Sequence, residues 1–328
     1  MIRSRQFLSL SSMSAAATVR QPVLLLLTSV CVVISGMVPL IRLFQFGEEG
    51  KLARDSALSL HFFLGLFVVG FAACTALAKE LNDDTANAVL SKPVSRELFF
   101  AAKYAGILLI VLLFSASACL ATLLSERAAE KFSWNEGIQG YILDARSAMV
   151  TFGAVIAAYC ISAAINYRTN RSFTASVMFL LPAALLAGSV LIAFFDRTGQ
   201  FSPFSFRFDW RLVNASALVT MALAVIGAVT LALSSRLNTA STLFVLVGLF
   251  FLGLASDWLF GRFADRSIVA GLLYRLFPNW QHFWRADDLT GGGRISAGYM
   301  CNAALYAVLY IAGALSAGIL LFRNRELK

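Results

Sequence analysis

Eight stretches of this chain are each long and apolar enough to cross a lipid bilayer, and that feature limits every other reading. They are Val23–Leu40, Ala57–Ala78, Tyr104–Leu124, Ser147–Ile165, Phe173–Phe195, Leu212–Leu233, Thr239–Ser256 and Tyr299–Phe322. A hydrocarbon core about 30 Å thick needs about 20 mostly apolar residues per helix. The stretches take up about half of the 328 residues, and the longest gap between them, 257–298, is too short for an independent enzyme domain. In hydrocarbon the backbone polar groups must find partners within the segment, so the spans are helices. The runs also lack the alternation of barrel strands. The composition agrees, at 59% hydrophobic and 14% charged, where a soluble domain has about 45–50% and about 25%. The expected fold class is an all-α, polytopic integral membrane helix bundle of about eight transmembrane helices, one transmembrane domain over 1–328. The short turn Ser234–Asn238 leaves room for a re-entrant hairpin, which would reduce the count to six.

Orientation is read from the basic residues. Segments 1–22, 79–103, 166–172, 234–238 and 323–328 carry 13 Lys and Arg, against 14 in the longer segments 41–56, 125–146, 196–211 and 257–298. The first group holds five acids (Glu80, Asp83, Asp84, Glu97 and Glu326) and the second holds thirteen. Both termini are therefore expected on the cytoplasmic side. Phe7–Ser12 is too polar for the core of a signal peptide. Residues 1–22 are read as a cytoplasmic interfacial helix, with a frayed tail as the alternative.

The spans carry little chemistry. None has Asp, Glu, Lys or Arg at its middle, whereas ion-coupled antiporters, proton pumps and intramembrane proteases need titratable groups there. His61 is read near the outer end of the second stretch, within reach of water. With His61 and His282 the only histidines, an imidazole metal site is not expected. Cys31, Cys74, Cys119, Cys160 and Cys301 lie in spans without a C-x-x-C pair and are read as small buried hydrophobes, not as disulfide or zinc ligands. Gly50-Lys51 lacks the other residues of a phosphate loop, and Leu289–Arg294 is read as a flexible linker. No catalytic residue, metal or cofactor is expected, and nucleic acid is not an expected partner. Energy for active transport would come from another subunit.

The segment 79–103 is the most informative. Leu81, Thr85, Ala88 and Val89 recur at helical spacing, with Asp83 and Asp84 opposite them. Pro93 ends that pattern by pushing Lys92 out of the α region. Ser95 is placed to cap a second helix, with Leu98, Phe99 and Ala102 on its apolar face. Helix, proline break, helix would present a short rigid element beyond the membrane; a solvated loop is the other reading of the same residues.

The order Thr85, Leu90-Ser91-Lys92-Pro93-Val94-Ser95-Arg96, Phe99 and Lys103-Tyr104 resembles the cytoplasmic loop of permease subunits of type-2 ABC exporters. Asn82 and Asp83-Asp84 differ from the residues usual ahead of the threonine. Pro278-Asn279-Trp280, Phe283, Asp287 and the closing Leu321–Leu327 are also similar to that family, in which six spans are usual. The resemblance implies a bacterial plasma (inner) membrane protein that forms the translocation path. It implies two copies of a separate ATP-binding ABC subunit and a second permease, identical or not, as partners within membrane lipid. The implied ATPase-coupling contact is Thr85, Val89, Leu90, Lys92, Pro93, Val94, Ser95, Arg96 and Glu97. A membrane scaffold or assembly protein without transport activity is the alternative.

Two further expectations concern packing. Gly153 with Ala157, Gly313 with Ala317, and Ala314 with Gly318 are small pairs that let helices approach, within one subunit or across a dimer. The extracytoplasmic, aromatic-rich segment 257–298 should anchor at the interface through Trp258, Phe260, Phe263, Tyr274, Phe277, Trp280, Phe283 and Trp284, with a short helix over 267–277. A gate or substrate exit is the sharper possibility.

Overall fold

The computed structural model describes residues 2–41, 50–78, 95–135, 138–196, 200–201 and 208–323. Its elements in order are α1 (Ile2–Val19), α2 (Pro22–Met37) and α3 (Lys51–Ala73, continued by a π-helical turn Cys74–Ala78). Then come α4 (Arg96–Ala128), β1 (Lys131–Asn135), β2 (Ile138–Ile142), α5 (Ala145–Thr169), α6 (Phe173–Ile192) and α7 (Arg211–Ser234). The chain ends with α8 (Thr239–Leu254), α9 (Ser256–Leu259), α10 (Ile268–Leu276) and α11 (Ala297–Arg323). Among the described residues seven helices are long and apolar enough to cross a membrane. An eighth is made by α8 with its continuation to Phe263, if a pair bent by 65° is counted as one span.

Polar residues between the apolar runs set the helix starts. The side chains of Ser95, Asp144, Ser172 and Asn238 each accept from the backbone N–H three residues on, which satisfies a donor that the first helical turn leaves open. Pro22 stands at the first position of α2, where its missing N–H costs nothing. Asn170 closes α5 in the left-handed conformation, at φ 53°.

The core is built on α3, α4 and α7. Leu66, Phe114 and Leu223 are buried between them, and a Cβ on Gly65 would come within 2.5 Å of Leu223. Glycine at 65 is what permits that approach. α5 and α6 pack on each other and on α2 and α4, while α8 and α11 pack on α7.

α1 lies along α4. Its inner face is formed by the small or short residues Ser14, Ala15, Thr18 and Val19, and Leu8 and Met13 are exposed. A Cβ at Gly106 of α4 would sit 2.8 Å from the Ser14 hydroxyl oxygen and 3.0 Å from the Ala15 backbone nitrogen. Gly106→Leu is therefore expected to push α1 off the bundle at a cost of about 1–3 kcal/mol, the usual scale of overpacking. Faster proteolysis within residues 2–19 of the purified variant would register the release; unchanged protection would contradict it.

Several expectations change. His61 is not at a wetted helix end. α3 begins ten residues before it, and the ring is fully buried, with Nε2 3.0 Å from the Ser115 hydroxyl and Phe114 edge-on at 5.6 Å. Cys31 and Cys74 are buried, but Cys119 is half-buried and Cys160 and Cys301 are exposed, because they lie on helix faces turned away from the protein. Of the small pairs, Ala314–Gly318 packs inward, with Gly318 against Phe100 and Ala232. Gly153 and Gly313 have no neighbour within 4 Å of a Cβ.

The connection between α4 and α5 is an unexpected antiparallel hairpin with Phe132 opposite Tyr141 and their rings 5.4 Å apart. The expected short helix forms as α10, capped by Ser267. The aromatic segment packs into the bundle, since Trp280 and Phe283 are buried and Trp284 stacks on Phe62. Tyrosines on one face of α11 stitch the segment down: Tyr299 OH donates to His282 O at 2.6 Å, and Tyr310 OH to Arg275 O at 2.6 Å. Tyr306 OH accepts from Asn279 N at 3.0 Å. Asp257 Oδ1 accepts from both Tyr274 OH and Asn279 Nδ2 at 2.7 Å.

Candidate functional site

The end of the bundle that carries the start of α4 holds the described part of the expected contact surface. Leu98 N–H donates to Ser95 Oγ at 3.3 Å, and Glu97 adds negative charge to the first turn, where the helix dipole favours it. Arg96 Nη1 donates to Phe322 O at 3.4 Å, with its guanidinium 5.8 Å from the Phe322 ring. That ring stacks on Phe99 at 6.0 Å and lies 6.3 Å from Phe100. One turn further along, Lys103 is buried with its ammonium 5.2 Å from the Phe99 ring, and Tyr104 OH donates to Ala224 O at 3.1 Å. The start of α4 is thus fastened to the end of α11 and to the middle of α7.

Ser95 and Glu97 are exposed on this end and Arg96 is half-buried, so Glu97 is the more available of the two charges. Thr85, Val89, Leu90, Lys92, Pro93 and Val94 lie outside the described residues.

The opposite end of the bundle holds charged clusters that sequence reasoning did not find. Arg127, 1% exposed, reaches Asp144 Oδ2 through Nε at 3.3 Å, and Ile192 O and Phe195 O through Nη2 at 2.9 and 2.7 Å. The Phe208 ring lies 5.0 Å from the same guanidinium. Asp144 in turn accepts from the Ser147 hydroxyl at 2.7 Å. One guanidinium therefore ties the end of α4, the start of α5 and the end of α6. Nearby, Lys131 pairs with Glu126.

The second cluster sits at the start of α7. Arg211 holds Asp209 through two hydrogen bonds of 2.7 Å and donates to Gly293 O at 3.1 Å, and Arg54 donates to Leu289 O at 3.4 Å. Burial works to raise the Asp209 carboxyl, but the hydrogen bonds and charge of Arg211 outweigh it and hold the group below its ordinary range. Leu289–Arg294 is accordingly a pinned turn with Leu289 buried, a correction to the flexible-linker reading. The signal available in the sequence was Arg127, Asp144 and Arg211 falling within a turn of a span end, where a charge can reach open backbone carbonyls or amides.

Among the described residues no three of His, Cys, Asp and Glu come together as a metal site. Among the described residues the arrangement supplies mechanical fastening. A family model described as "ABC-2 family transporter protein" matches residues 18–186. The match starts at the end of α1 and runs most of the way through α6, with the expected contact segment inside it. No curated protein matches the chain.

Proposed function

Because the chain belongs to the ABC-2 family of transporter proteins, we propose that it is the permease subunit of an ATP-binding-cassette exporter, forming the translocation path. ATP hydrolysis resides in a separate subunit, present in two copies, and a second permease, identical or related, completes the path. The chain is a multi-pass membrane protein, and the proposed site is the bacterial inner membrane with both termini in the cytoplasm. The start of α4 then faces the ATP-binding subunits.

The observation that carries this reading is the family match over residues 18–186, which contains the segment leading into α4. The fastening of that helix to α7 and α11 supports it. A displacement of the start of α4 would be passed to α7 and α11, as a two-state element biased from one side requires.

The test is affinity purification of the chain from its host membranes in mild detergent. An ATP-binding subunit is expected to come with it, and its ATP hydrolysis should rise when a transported solute is added. Recovery of the intact chain with partners that include no ATPase would favour a scaffold and overturn the reading.

A further inference from the structure

A recess of about 670 Å³ opens at the end of the bundle where α2 and α6 begin. Its walls include Arg20, Arg171, Ser172, Ala175, Ser176 and Phe179, and no acid is among them. Acids are absent from the whole of 1–47 and 145–195, which hold α1, α2, α5 and α6.

The backbones of the two arginines are held while their charges are left open. Thr174 Oγ1 donates to Arg20 O at 3.1 Å, and Asn166 Nδ2 donates to Arg171 O at 2.5 Å. Both side chains are exposed, and neither guanidinium makes a hydrogen bond or ion pair among the described residues. Two cations lining one recess repel each other unless an anion lies between them. The guanidinium fork matches the oxygens of a phosphate, two at a time.

We propose that this recess binds a phosphate group, and that the group belongs to an anionic phospholipid of the surrounding leaflet. The arginines carry the recognition, because the two serine hydroxyls already have partners. Ser172 Oγ lies 3.0 Å from Thr174 Oγ1, and Ser176 Oγ donates to Ser172 O at 3.1 Å.

The depth of the recess argues for a lipid as the source. Arg20 stands two residues ahead of α2 and Arg171 two ahead of α6, and both helices are long and apolar enough to span. The charges therefore sit where the two spans start, at headgroup level. Seven residues on from Ser172, roughly 10 Å along α6, the wall has become apolar at the exposed Phe179. Val23 and Leu26 leave apolar surface exposed over the first turns of α2. A headgroup at the arginines and an acyl chain over Phe179 thus lie in one leaflet, about 15 Å deep. A soluble phosphate would use the polar rim and leave that apolar wall unmatched. The proposal needs only a bilayer, and its test involves no ATPase, so its failure would leave the transport reading where it stands.

The experiment is native mass spectrometry of the full chain, freed of lipid in mild detergent and titrated with phosphatidylglycerol or phosphatidylcholine. Each arginine near an anionic headgroup contributes about a fivefold preference, so phosphatidylglycerol is expected to bind about twentyfold more tightly. Arg20→Gln with Arg171→Gln should remove most of that preference. Arg5→Gln with Arg168→Gln takes the same charge from exposed residues outside the recess, and should leave the preference unchanged. Thermal unfolding of the lipid-free chain should be unaltered in both double variants. Inorganic phosphate in excess should not displace the bound lipid.

A preference that survives in Arg20→Gln with Arg171→Gln, or that falls equally in the control pair, would overturn the proposal. Displacement by inorganic phosphate would overturn the lipid source and make the recess a site for soluble phosphate.

Discussion

Replacing Val89 and Leu90 together by aspartate is expected to leave membrane insertion intact and to abolish capture of the ATP-binding subunit. Under the proposed function these two apolar side chains meet a protein surface. Two carboxylates at that contact would each have to be dehydrated without a partner, at a cost of about 1–3 kcal/mol even on conservative scales. Every 1.4 kcal/mol is about tenfold in affinity, so association should fall by about a hundredfold or more. The measurement is co-purification of the ATP-binding subunit from detergent extracts, alongside the amount of chain in the membrane fraction. Glu97→Gln, which removes one exposed charge, should weaken capture far less. Undiminished capture of the partner by the double aspartate variant would remove the assignment of this segment.

Arg127→Ala is expected to be the most destabilising single change among the described residues of the far end of the bundle. It leaves Asp144 buried without its cation, and the Ile192 and Phe195 carbonyls without their donor. Breaking a buried pair from one side costs about 3–5 kcal/mol. Thermal unfolding of the purified chain in detergent should show it as a large loss, with Phe195 and its neighbours becoming the first protease-sensitive region. The double variant Arg127→Ala with Asp144→Ala should cost less than the sum of the two single changes, because the second removes the charge that the first strands. A loss below about 1 kcal/mol for Arg127→Ala would show that water reaches this site and solvates the carboxylate.

Hydropathy in the sequence reports how a segment partitions into hydrocarbon, and it located the spans because that property is local. It does not report where a helix stops. The apolar stretch Tyr104–Leu124 became α4, Arg96–Ala128, since the helix continues past the apolar stretch at both ends, started by the Ser95 cap and finished near Arg127. Nor does it tell a protein-facing surface from a lipid-facing one, because both are apolar. α7 is largely buried and α11 largely exposed, yet their hydropathies are 2.3 and 2.1. The misreadings of His61, Cys160 and Cys301 have this origin.

The candidate site was legible only where its logic is local. A proline break followed by a serine and an apolar face predicts the cap at Ser95, and the cap is there. The hold of Arg96 on Phe322, and of Arg54 on Leu289, joins residues more than two hundred positions apart. No spacing rule announces those contacts. The hairpin between α4 and α5 escaped notice because its strands are five residues each and half-hidden among charges.

α4 spans 33 residues without a break, roughly 50 Å at 1.5 Å per residue, and it is gripped near both extremities. A rod held in that way cannot take up a push by buckling at a joint, because it has none. Under the proposed function, a tilt imposed where it starts would reappear, with reversed sense about whatever fulcrum α3 and α7 provide, at the guanidinium knot at the other end of the bundle. Work delivered at one end would then be spent at the other, on the three helix ends gathered around Arg127.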